Sequence, residues 1–137
     1  VPVWKLLQRG QSIPLESGAV VAPADVLGPA RRGLRFVFSG DTAPCPALEQ
    51  AAQNADLFLC DATYPDNEQE AQAKQWGHST FAQGAAIAKK ADVRRMHYSP
   101  MILEPEAALP NAQAVFPAAE CGFDGKQIIL QYDEETT

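Results

Sequence analysis

Apolar runs in this chain break off into short polar motifs, and the order of those motifs narrows the fold more than any other feature. Arg35-Phe36-Val37-Phe38 ends at Ser39-Gly40-Asp41-Thr42, and Asp56-Leu57-Phe58-Leu59-Cys60 ends at Asp61-Ala62-Thr63. Gly77-His78-Ser79-Thr80 introduces a helical stretch, and Val93-Arg94-Arg95-Met96 runs into His97-Tyr98-Ser99-Pro100. The chain has only two histidines, and both lie inside these motifs. Short apolar runs bounded by turn residues read as buried strands. Open α/β sheets carry their functional groups at the C-terminal ends of such strands.

The segments between the motifs complete the pattern. A helix is expected over roughly 46–54, with Leu48, Ala51 and Ala52 on one face and Thr42 placed to cap it. The polar stretch Pro65 to Trp76 reads as part helical. Ser79 or Thr80 caps a helix through about Lys90, whose Phe81, Ala85, Ile87 and Ala88 suit a sheet and whose Lys89 and Lys90 suit the negative helix end. Val93 to His97 is the next strand, and Glu104 to Ala114 holds a short helix interrupted by Pro110. Gln127-Ile128-Ile129-Leu130 reads as a final strand, entered through Asp124-Gly125. Ahead of these elements, the chain through about Pro29 is rich in turn formers, with Ala19-Val20-Val21-Ala22 as a short strand. The alternation of strand and helix predicts an α/β fold. The length of 137 residues suits one domain over 1–137, and Asp133 to Thr137 reads as a frayed tail.

Composition excludes some classes of function. The net charge is −6, which argues against broad electrostatic capture of nucleic acid by this segment. The local clusters Arg31-Arg32 with Arg35, and Lys89-Lys90 with Arg94-Arg95, read as solvated surface. No apolar run approaches the roughly 20 residues of a membrane span, so no membrane partner is expected. The three cysteines show no CxxC spacing, which suggests reduced thiols and a cytoplasmic protein, with Cys60 a small buried hydrophobe. The start, Val1-Pro2-Val3-Trp4-Lys5, has neither an initiator Met nor a signal-peptide pattern and reads as the middle of something longer.

Four side chains are placed to carry chemistry. Asp41 follows a strand and a glycine, where a carboxylate can bridge two divalent cations; taken alone, a turn or helix-cap aspartate is the plainer reading. His97 ends a strand, where a neutral imidazole is a good ligand for zinc or manganese; a hydrogen-bonded strand-end histidine is the plainer alternative. His78, after a glycine and ahead of a helix, is placed to give a proton to a leaving oxygen, or is simply a helix-start histidine. Asp61 is placed to orient His78 through its second ring proton, or caps a turn.

Together and in this order, these motifs resemble the C-terminal half of the ribonuclease Z family, tRNA 3′-processing endonucleases of the metallo-β-lactamase superfamily. Phe36 to Thr42 looks like the motif whose Asp bridges both metals. Leu57 to Thr63 is similar to a family strand end that usually carries His-Glu where this chain has Cys60-Asp61. Gly77-His78-Ser79-Thr80 looks like the motif whose His assists catalysis, and Met96 to Pro100 like the one supplying the last metal histidine. Leu6 to Pro29, and later Val115-Phe116-Pro117 with Phe123-Asp124-Gly125, extend the likeness over most of the chain.

The resemblance implies half of an αββα sandwich, a mixed sheet with flanking helices. It implies Asp41 and His97 as metal ligands, His78 and Asp61 as the catalytic pair, and a tRNA precursor cut at its 3′ trailer. It also implies two zinc ions per complete site, with manganese an alternative, held weakly or not at all by this chain alone. The family's HxHxDH signature lies upstream of everything seen here, and no such run is present. The isolated chain is therefore expected to be inactive and to pair with a missing N-terminal half or with a second copy. Two alternatives stay open: another hydrolase of the superfamily, phosphodiesterase or arylsulfatase-like, or a non-catalytic half-domain serving in assembly.

Overall fold

The computed structural model describes residues 2–28, 32–100, 102 and 104–132. The expected frayed tail at 133–137 and the Arg31 position of the first basic cluster lie outside the described residues. The chain divides into two compact units, 1–33 and 34–137.

The first unit holds a short helix, α1 (Val3–Gln8), and an antiparallel pair, β1 (Ile13–Pro14) and β2 (Val20–Val21). The expected strand at 19–22 is thus present as its two central valines.

The second unit is built on a parallel sheet of β3 (Phe36–Phe38), β4 (Leu57–Ala62), β5 (Met96–Pro100) and β6 (Ala119–Cys121), in that spatial order. The helices are α2 (Pro46–Ala52), α3 (Glu70–Trp76), α4 (Phe81–Lys90) and α5 (Pro105–Gln113). Parallel strands need crossover connections, and α2 and α5 follow β3 and β5 in that role, while α3 and α4 both lie between β4 and β5. The α/β expectation is borne out.

Register sorts the two faces of the sheet. Phe58 pairs with Met96 and Cys60 with Tyr98, and Met96 and Tyr98 pair in turn with Ala119 and Cys121. Side chains alternate along each strand, so this set shares one face. That face forms the core with Phe81, Ala85, Ile87 and Ala88 of α4, as their spacing predicted. Cys60 is fully buried, and burial pushes its thiol pKa up to about 12, so it stays protonated and acts as a small apolar side chain. The Tyr98 hydroxyl donates to the Phe81 carbonyl, which satisfies the one polar atom of the largest core side chain. The other face carries Phe36, Phe38, Leu57, Leu59, Asp61, His97 and Glu120. On it, Phe36 and Phe38 stand 55% and 57% exposed.

Several boundaries moved for identifiable reasons. Helix α2 starts at Pro46, as expected, but the residue at its cap position is Cys45 and not Thr42, because proline is preorganised for the first helical position. Helix α5 runs through Pro110 without breaking. The strand expected at Val93–His97 begins three residues later. Asp92, at φ +51°, closes α4 with Val93 N–H on Ala88 O (3.0 Å) and Asp92 N–H on Lys89 O (3.4 Å), so Val93 belongs to the helix exit, while Arg94 N–H on Ala55 O and Phe58 N–H on Arg95 O (both 2.9 Å) lead into the strand. The strand expected at Gln127–Leu130 is absent. Ala119–Cys121 takes the edge of β5 instead, Gly122 N–H donates to the Tyr98 carbonyl at 2.8 Å, and Ile129 is exposed.

Gly84 lets α4 approach the sheet. A Cβ there would lie 2.9 Å from Cys60 Sγ and 3.0 Å from Tyr98 Cε1. Alanine gains about 1 kcal/mol of helix propensity, but overpacking costs typically about 1–3 kcal/mol. Gly84→Ala is therefore expected to lower stability in urea unfolding, and a raised midpoint would show that α4 can back away.

Candidate metal and catalytic site

The site lies where the ends of β3 and β4 meet the loop before α4. Its hub is Asp61, whose side chain is 1% exposed. Asp61 Oδ2 accepts from the Ser79 backbone N–H at 3.0 Å and lies 3.1 Å from His78 Nδ1. Thr63 Oγ1 donates to Asp61 Oδ1 at 2.8 Å and sits 3.1 Å from the same His78 nitrogen. The Asp61 backbone N–H donates to Ser39 Oγ at 2.8 Å, which ties β4 to the end of β3.

The loop holding His78 is fixed from both sides. Gly77, at φ +75°, closes α3 with His78 N–H on Ala73 O (2.8 Å) and Gly77 N–H on Lys74 O (3.2 Å), the paired pattern of a Schellman motif. On the far side, Thr80 caps α4. Its Oγ1 accepts from Gln83 N–H at 3.2 Å, and Gln83 Oε1 accepts from Thr80 N–H at 3.0 Å. Ser79 Oγ donates to the Thr42 carbonyl at 2.7 Å, which joins this loop to the one carrying Asp41.

Asp41, Asp61 and His78 each present a ligand-type atom, and these atoms all lie within 4.8 Å of one another. Asp41 is exposed and Asp61 is buried. The structure thus brings three of the four candidate residues together. The fourth, His97, lies on the same sheet face on the neighbouring strand, at the level of Leu59 rather than Asp61. It is 1% exposed, and neither ring nitrogen has a hydrogen-bond partner. Glu120 Oε1 is the near carboxylate, at 3.9 Å from Nε2. Burial lowers the His97 pKa, Lys126 lowers it further, Glu120 opposes and Arg95 adds a small push down. A buried neutral imidazole with two unsatisfied nitrogens is an uncommon arrangement that a metal ion would resolve. Two carboxylates and imidazole nitrogens are a donor set suited to zinc or manganese. The residues present fit a divalent metal.

Two contributors escaped the sequence reading. Ser39 and Thr63 are hydroxyl residues next to the singled-out carboxylates, and their adjacency at strand ends was the available signal.

Residues 13–99, which include all four candidates, match the family model described as a beta-lactamase superfamily domain, and the chain belongs to that family. Its curated relatives include proteins named ribonuclease Z. That of Myxococcus xanthus is 43% identical over 134 residues, covering 94% of this chain and 43% of its own length. That of Lachnoclostridium phytofermentans is 36% identical over 137 residues, covering 98% and 45%. The chain thus spans under half the length of these relatives. Among solved structures, human tRNase Z, short form, superposes with a TM-score of 0.57 at 21% identity, over 82% of this chain and 37% of that one. The metallo-beta-lactamase fold protein YhfI from Bacillus subtilis gives 0.55 at 19%, over 63% and 35%. At these identities the likeness establishes the fold, half of a metallo-β-lactamase sandwich, as the motifs implied. The resemblance to ribonuclease Z is borne out by the relatives. Among the described residues no helix is long and apolar enough to cross a membrane.

Gly77 has nothing within 4 Å of the position a Cβ would take, so only its left-handed backbone resists substitution. Gly77→Ala is expected to lower stability by about 1–2 kcal/mol, the cost of that conformation for an L-residue. Gly77→Asn should lose less in the same thermal melts, and equal losses would place the cost elsewhere.

Proposed function

We propose that this chain is the C-terminal half of a metal-dependent endoribonuclease of the ribonuclease Z type, removing 3′ trailers from tRNA precursors in the cytoplasm. The observation that carries the reading is the buried Asp61 carboxylate against His78 Nδ1, with Asp41 beside the pair. The names of the curated relatives support the substrate. The free cysteines Cys45, Cys60 and Cys121 support the compartment.

Asp41 and His97 would hold divalent metal, zinc by preference and manganese as the alternative, completed by ligands outside this chain. That metal would make water a nucleophile at neutral pH and offset charge on the phosphoryl group. Asp41 makes no hydrogen bond among the described residues, so its carboxylate is free to act as a ligand. Asp61 holds the His78 ring in place through its Nδ1. His78 then delivers a proton to the leaving 3′ oxygen, or steadies the charge that gathers there. The sheet face bearing Phe36 and Phe38 would seat the other half of the sandwich, or a second copy of the chain in its absence.

Two residues are too few for a closed zinc site, which takes about four ligands. Elemental analysis of chain purified without chelator or added zinc is therefore expected to find almost no metal, and the chain should not cleave phosphodiesters. One or two tightly held zinc ions, with phosphodiesterase activity lost in Asp41→Ala, would overturn the half-site reading. In the full-length enzyme, His78→Ala should reduce kcat on precursor tRNA by about 10²–10⁴-fold, the scale of a general acid. An unchanged kcat would remove His78 from the reaction.

A further inference from the structure

Thr63 touches both members of the catalytic pair, and its hydroxyl has one proton to give. Asp61 is an acceptor when ionised, and Oδ1 lies 2.8 Å from Thr63 Oγ1, so the hydroxyl proton is committed to Asp61. The Thr63 oxygen can then only accept from His78 Nδ1, 3.1 Å away. Asp61 Oδ2, also 3.1 Å from Nδ1, can likewise only accept. Two acceptors therefore converge on one ring nitrogen, and that nitrogen must carry the proton. The remaining capacity of Asp61 Oδ2 is taken up by the Ser79 N–H at 3.0 Å, which prevents the carboxylate from turning away.

We infer that Thr63 is a positioning residue that locks His78 as the Nδ1–H tautomer and leaves Nε2 as the only atom that exchanges protons with substrate. The inference deepens the reading of His78 as the acid and rests on it for its catalytic meaning. Nε2 takes up a proton from solvent to give the imidazolium. The Nε2–H bond then breaks as an O–H bond forms on the leaving oxygen, the electron pair stays on Nε2, and the ring returns to the Nδ1–H form. The Nδ1 proton, shared between Asp61 and Thr63, never leaves.

The test is the tautomer of His78 in this chain, read from side-chain 15N shifts at alkaline pH, where the ring is neutral. His97→Gln is used to assign the signals. A protonated Nδ1 and bare Nε2 are expected, and an Nε2–H ring would overturn the inference before any variant is made. Thr63→Val, which keeps the shape and removes the hydroxyl, should raise the Nε2–H population or broaden the ring signals, and Thr63→Ser should restore them. In the full-length enzyme Thr63→Val should lower kcat about tenfold with KM unchanged, the scale of one hydrogen bond to a charged group. Thr63→Ser should stay within about twofold of the parent. A Thr63→Val protein with unaltered signals and unaltered kcat sinks the role of Thr63. An Nδ1–H ring in an enzyme indifferent to His78→Ala would instead keep the positioning and sink the reading of His78 as the acid.

Discussion

Burial of the Asp61 carboxylate is the constraint from which the rest of the site follows. A carboxylate kept from water must be met by donors, because leaving one unsatisfied costs several kcal/mol. Here the donors are a threonine two residues on, a backbone N–H from the loop before α4, and a histidine ring. Each comes from a different piece of chain or a different turn of it. Meeting the demand of one buried group therefore forces the end of β4, the exit of α3 and the start of α4 into a single arrangement. Ser39 and the Thr42 carbonyl extend the same arrangement to the end of β3.

The scaffold that delivers these ends is economical. One face of the sheet is sealed by α4, whose small residues Gly84, Ala85 and Ala88 bring the helix axis close to Cys60, Met96 and Tyr98. Close seating leaves little slack in β4 and β5, so the positions of Asp61 and His97 are set by packing on the opposite side of the sheet from their side chains. The opposite face carries the polar and orphaned groups: Asp61, His97 and Glu120.

Much of this was legible in the sequence where two signals agreed. Strand β4 combines an apolar run with an abrupt carboxylate, and α4 combines a capping threonine with apolar spacing and terminal lysines. Both were placed nearly to the residue. Legibility failed where one signal stood alone. Gln127-Ile128-Ile129-Leu130 is apolar enough for a strand, yet apolarity alone does not say which run takes the β5 edge, and Ala119–Cys121 takes it. The start of β5 was misplaced because an aspartate, not a glycine, adopts the left-handed turn that ends α4. At the site, the four candidate residues were visible because they are titratable. Thr63 and Ser39 were not, because a hydroxyl announces a role only through its partners. That His97 stands apart from the other three is likewise a matter of register, since it shares a level with Leu59 while Asp61 lies two residues further along.

The spatial order of the sheet, β3-β4-β5-β6, repeats the order of the chain. Each strand after the first finds its template already synthesised. Nothing formed early has to be opened to admit something made later. A chain leaving the ribosome can thus lay down this sheet as a bricklayer lays a course, and the candidate residues arrive in the same direction, from Asp41 to Asp61 to His78 to His97.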